Sequence, residues 1–88
     1  MMTRSQKLRA LALGILAKRP VDFGYPEDTL VGEIILYAGD EQSPAPMEVR
    51  AEIDKLVEEG CISRAVNSIL GSVYYTLTDK GRANAPQF

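Results

Sequence analysis

The chain has 88 residues, 45% of them hydrophobic and 25% charged, with a formal net charge of −2. This length makes one domain, residues 1–88, with one modest core and little room for a deep catalytic cleft. The apolar and charged fractions are ordinary for a globular protein, so disorder is not the default reading, and no apolar run is long enough to span a bilayer.

The charge is unevenly placed. Residues 1–20 carry five Lys/Arg and no acid, and residues 21–60 carry eleven acids against two bases. A basic end and an acidic middle imply two electrostatic faces. The N-terminal run MMTRSQKLRALALGILAKRP loosely mimics a signal peptide. Lys18 and Arg19, however, stand where small residues should mark cleavage, so the run reads as part of the fold and the protein as cytoplasmic.

Taken in order, the first element is a helix with Ser5 as its N-cap. Leu8, Leu11, Ala12, Ile15 and Leu16 recur at helical spacing, and Pro20 ends the element. Pro26 fits the first turn of a second helix, with Glu27 and Asp28 set favourably against its dipole and Gly39 as its stop. Ser43 followed by Pro44 marks the start of a third helix, in which Val49, Ile53, Leu56 and Val57 share a narrow arc and Gly60 closes the C-terminus. CISRAVN and VYYTLT read as two short strands joined by SILGS. The expected fold is α+β, mostly α: three helices followed by a two-stranded antiparallel hairpin, with residues 1–4 and 84–88 as flexible ends. Its core is expected to contain Leu8, Leu11, Ile15, Ile34, Ile53, Leu56, Ile62 and Leu77.

The end of the second strand, YYTLTDKG, has its own logic. Val73, Tyr75 and Leu77 should face the helices while Tyr74 and Thr76 face out. Thr78 can turn its hydroxyl back onto backbone N–H groups two or three residues on, and Gly81 allows a positive φ. This is a closing device for the core and carries no chemistry.

The run from the third helix through LVEEGCISR into a hairpin and YYTLTDKG resembles the winged helix-turn-helix superfamily of bacterial and phage DNA-binding regulators. The matching positions are Leu56, Gly60, Ile62, Arg64, Tyr75, Leu77, Thr78 and Gly81, within residues 46–83. The resemblance implies a third helix that enters the major groove of double-stranded DNA and a wing that touches an adjacent groove or phosphates. The exposed part of that helix would offer Met47, Glu48, Arg50, Ala51 and Asp54. Arg50 suits a bidentate contact to guanine, with Asp54 at i+4 as its competing partner. Arg64 is a further candidate contact. In the first helix Lys7 and Lys18 fall within about 20° of each other, and with Arg4 they form a basic edge suited to the phosphate backbone.

Other features point to a protein partner. Five acids on the third helix would repel phosphates, and the hairpin tip carries Ile69 and Leu70 where DNA-binding wings carry Arg or Lys. The expected function is a small DNA-binding transcriptional regulator without catalytic activity. The alternative is a winged-helix protein-interaction module using the apolar wing and acidic third helix, toward itself or another protein. Dimeric members of the superfamily often pair through a long C-terminal helix. Here no residues remain for one after Gly81, so a dimer would use the first helix or the wing. No cofactor, metal or membrane partner is expected: phosphate loop, nucleophile elbow and clustered ligands are missing, and the chain has no histidine. Cys61, the single cysteine, reads as a small buried apolar group.

Overall fold

The computed structural model describes residues 3–18, 24–39 and 44–85. Its elements are α1 (Arg4–Ala17), β1 (Tyr25–Pro26), α2 (Glu27–Ala38), α3 (Pro46–Glu58), β2 (Ile62–Val66), β3 (Val73–Leu77) and α4 (Asp79–Asn84). The molecule is mostly helical with a small antiparallel sheet of order β1-β3-β2. Three strands stand where two were expected, because Tyr25 and Pro26 pair with Tyr75 and Tyr74 on the far side of β3. A two-residue strand leaves no alternation to detect in sequence.

The helix ends follow local chemistry. Thr3, not Ser5, caps α1: its hydroxyl accepts from the Gln6 N–H at 3.1 Å, and the Gln6 side chain accepts from the Thr3 N–H at 3.0 Å. Two of the four orphan amides at that end are thus satisfied reciprocally. Ser5 is the second residue of the helix, with its hydroxyl on Glu52. Pro26 sits immediately before α2 as its N-cap, and Gly39 ends α2 at φ +89°. The third helix begins at Pro46, two residues beyond the Pro44 that was expected to open it, with Ala45 as N-cap. Pro20 and Ser43, the other sequence markers of helix ends, lie outside the described residues.

The core is shared by every layer. Leu8, Ala12 and Leu16 of α1 meet Leu30 and Ile34 of α2, Val49, Ile53 and Leu56 of α3, and Ile62, Tyr75 and Leu77 of the hairpin. Each such large side chain contributes about 1.5–3 kcal/mol by leaving water. Leu11 and Ile15 are only half-buried, whereas Leu13 is buried. The reason is that α1 packs against α2, α3, β3 and α4, so more than one of its faces is covered and a single-stripe reading misplaces the core.

The β2–β3 hairpin pairs in one continuous register from Ile62↔Leu77 to Val66↔Val73. Its closing end carries two devices. The Thr78 hydroxyl donates to the backbone oxygens of Gly60 (2.6 Å) and Cys61 (2.9 Å) and accepts from the Gly81 N–H (3.0 Å), which caps α4. Gly81 does not adopt a positive φ. Its hydrogen is needed for space instead: a Cβ there would lie 2.7 Å from Leu77 Cδ1 and well inside van der Waals distance of the Cys61 carbonyl oxygen.

Candidate interaction surface

The basic side chains proposed to meet DNA are tied to groups of the same molecule. Arg4 donates through Nη2 to Glu48 Oε1 (3.0 Å) and through Nε to Oε2, which joins the first turn of α1 to the first turn of α3. Lys7 donates from Nζ to the Ala38 carbonyl oxygen (3.2 Å) at the C-terminal end of α2, where a cation offsets the helix dipole. Lys18 lines a shallow cleft with Leu11, Gly14, Ile15 and Tyr37. Arg4 therefore reaches α3, while Lys7 and Lys18 lie on the α2 side of α1.

The exposed face of α3 repeats the pattern. Arg50 reaches Glu27 (Nε to Oε1, 3.2 Å) and Asp28 (Nη2 to Oδ1, 3.5 Å), both in the first turn of α2. Asp54, the partner expected for Arg50, instead takes Arg64 of β2. Arg64 also lies over the Tyr75 ring, 5.5 Å from its centroid, and the Tyr75 hydroxyl donates to Glu27 Oε2 at 2.8 Å. Arg50, Glu27, Tyr75, Arg64 and Asp54 thus form one chain of polar contacts linking α2, α3 and the hairpin. Hydrogen bonding to Tyr75 and then to Asp54 raises the Arg64 pKa above its ordinary value. Burial, followed by the hydrogen bond to Glu27, raises that of Tyr75. Met47, 80% exposed, is the large apolar group among the α3 candidates, and the smaller Ala51 is exposed beside it.

Two contacts that sequence reading missed complete this stitching. Arg9 pairs with Glu59 at the end of α3. Glu52 is the one buried charged residue among those described. Both its carboxylate oxygens accept from Ser5 Oγ (2.7 and 2.6 Å), and Lys55 Nζ adds a bond at 3.2 Å. Burial raises the Glu52 pKa, but the hydrogen bonds from Ser5 and Lys55, aided by the charges of Lys55 and Arg9, outweigh it. The carboxyl is left below its ordinary value. The Arg9–Glu59 and Ser5–Glu52 contacts depend on which helices meet, whereas Glu52–Lys55 is an i,i+3 pair within α3.

The wing tip is built differently. Asn67 Oδ1 accepts from the N–H groups of Ile69 (2.9 Å) and Leu70 (3.1 Å). The Asn67 carbonyl oxygen accepts from Gly71 N–H (2.7 Å), and Asn67 N–H donates to the Ser72 carbonyl (2.8 Å). Gly71 takes φ +69°, which returns the chain to β3. With the turn's backbone satisfied by a single asparagine, Ile69 and Leu70 point outward, 90% and 72% exposed, and neither folds back onto the core. Val66, one residue before the turn, is also exposed although it shares a strand face with buried Ile62. The hairpin extends past the helices, and Val66 has passed beyond their cover. A second exposed apolar pair, Leu36 and Tyr37, lies on the outer face of α2.

Among the described residues no helix is long and apolar enough to cross a membrane, and no group of three or more His, Cys, Asp or Glu is placed to hold a metal ion. Compared with known proteins, the chain matches no family profile, no curated protein and no solved structure.

Proposed function

We propose that this chain is a winged-helix protein-interaction module whose wing is the contact surface. Three helices closed by a hairpin, with Thr78 and Gly81 at its junction with the core, support the winged-helix reading. One observation carries the choice of partner class. Three exposed aliphatic side chains, Val66, Ile69 and Leu70, gather at the wing, whereas the other exposed large apolar groups are Met47 on α3 and Leu36 and Tyr37 on α2. The candidate phosphate contacts Arg4, Lys7, Arg50 and Arg64 already hold internal partners. A phosphate surface favours donors and positive charge, whereas an exposed aliphatic cluster gains by leaving water against another chain.

DNA binding by a transcriptional regulator is the second reading. It is favoured by Met47, Arg50, Ala51 and Asp54, all exposed on one helix beside the wing, and by the modest strength of exposed ion pairs, which phosphates could displace. Under that reading, replacing Lys7 and Lys18 together weakens binding to all sequences alike.

A photo-crosslinking residue at position 70 tests the first reading in the expressing cell. Capture of a polypeptide that fails when the residue is moved to exposed Asp79 supports a protein contact at the wing. Equal capture from both positions, or none from either, removes the wing as a specific protein surface.

A further inference from the structure

We propose that the occupant of the wing is a second copy of this chain, joined by antiparallel pairing of the two β2 edges across a two-fold axis. The proposal rests on the reading of the wing as a protein contact and names its partner. Thr78 N–H donates to the Cys61 carbonyl and Asn67 N–H to the Ser72 carbonyl, so residues 61 and 67 bond toward β3. In an antiparallel ladder such residues alternate with those that bond away from the partner strand. Residues 63 and 65 therefore also bond to β3, and the N–H and C=O groups of Ile62, Arg64 and Val66 turn to the other side. With the order β1-β3-β2, that side is the outer edge of the sheet.

Exposed edges of this kind are usually guarded by a lysine, a proline, a bulge or a covering loop. β2 has none of the first three: it is five residues long, ISRAV, with unbroken register to β3. Residues 63 to 66 are all exposed. Its one charge, Arg64, is drawn aside by Asp54 and the Tyr75 ring, so it does not guard the edge.

The strand's own sequence favours a copy of itself. Pairing centred on Ala65 sets Ala65 against Ala65, Arg64 against the second copy's Val66, and Ser63 against the second copy's Asn67. No like charges oppose each other, and the smallest side chain occupies the close, non-hydrogen-bonded position on the axis. Arg64 and Val66, whose backbones face outward, then become the hydrogen-bonded pairs. Centring on Arg64 would set two guanidinium groups opposite each other, which is unfavourable. The Ala65 register also carries each wing tip, with Ile69 and Leu70, toward the Gly60 end of the other copy's β2. One contact thus covers both the bare edge and the apolar tip. A five-residue edge plus a tip lies at the small end of specific interfaces, so the dimer is reversible, with a dissociation constant on the order of 10–100 μM.

The test combines sedimentation with amide hydrogen exchange of the whole chain over about 5 μM to 1 mM, a range set by that affinity. The wild type is expected to pass from monomer to dimer, with exchange at Arg64 and Val66 slowing as the dimer fills. Val66→Pro removes an N–H that β3 does not use and is tolerated at an edge, so it should remain folded and monomeric. Val66→Lys keeps the N–H but adds a guard and should weaken pairing at least about tenfold. The proposal is overturned by a wild type that stays monomeric, or by dimerisation that leaves the Arg64 and Val66 amides unprotected. A folded Val66→Pro that assembles like the wild type also overturns it. If Val66→Pro unfolds, Val66→Lys decides: wild-type assembly in that variant overturns the proposal. Crosslinking from position 70 separates this inference from its premise. Capture of a foreign polypeptide alone ends self-pairing and leaves the wing as a protein surface, whereas unspecific capture or none ends both.

Discussion

The two ends of the β2–β3 hairpin, the first and last of five residue pairs, are held by opposite rules. At the Ile62–Leu77 end, side chains are buried, Thr78 bonds two carbonyl oxygens of the facing strand end, and Gly81 packs with no room for one more carbon. At the Val66–Val73 end the turn satisfies its own backbone through Asn67, and its apolar groups stand in water. The first end is fixed by the core and the second is free of it. A surface that contributes little to folding is the one available for a partner.

The sharpest way to break this contrast is to place the same carbon at both ends. Gly81→Ala forces a backbone clash with Cys61 and is expected to cost about 4 kcal/mol or more, or to prevent folding. Gly71→Ala meets no neighbouring atom and suffers only from its φ of +69°, at about 1–2 kcal/mol. Urea unfolding of both variants measures the difference; equal losses would mean that the two ends are not mechanically distinct.

A smaller effect is expected where α1 is stitched to α3, on the fixed side. Ser5→Ala leaves the buried Glu52 carboxylate without its hydroxyl donor and should cost about 1–3 kcal/mol. Because the folded pKa of Glu52 is depressed, its contribution is full above the unfolded value of about 4.5 and is lost as pH falls through the lower folded value. Stability measured across that acid range should fall less steeply in Glu52→Gln than in the wild type. An identical slope would show that Glu52 is not a source of the acid sensitivity.

The smallest change is expected at the free end. Ile69→Ser with Leu70→Ser should shift the stability of the monomer by less than about 0.5 kcal/mol while weakening self-association. Unfolding of that variant would place the pair in the core and end the wing's claim to a partner.

The same division explains what could be read from sequence. The three main helices and the hairpin were legible because their periods and stop signals are local: the α3 stripe, Gly39, Gly60 and the alternation of VYYTLT. Thr78 was legible as a strand terminator for the same reason. β1 is too short to carry a period, and α4 lies across Gly81, where the sequence suggests a positive φ and the structure shows a close approach to Cys61. The capping-box spacing of Thr3 and Gln6 is the sequence signal that separates Thr3 from Ser5 as the cap. The exposure of Ile69 and Leu70 could be anticipated from their place in the turn. The fate of Arg4, Arg50 and Arg64 could not, since each is settled by an acid on another element.

Titrating the isotopically labelled chain with generic duplex DNA at low salt, while following its backbone amides, decides between the wing and α3 as the contact surface. With the wing as the contact surface, the amides of Met47, Arg50, Ala51 and Asp54 should stay in place, because the cations around them are already held by Glu27, Asp28 and Asp54. Saturable shifts at those residues, lost when salt is raised, would contradict it and make α3 a DNA-reading helix.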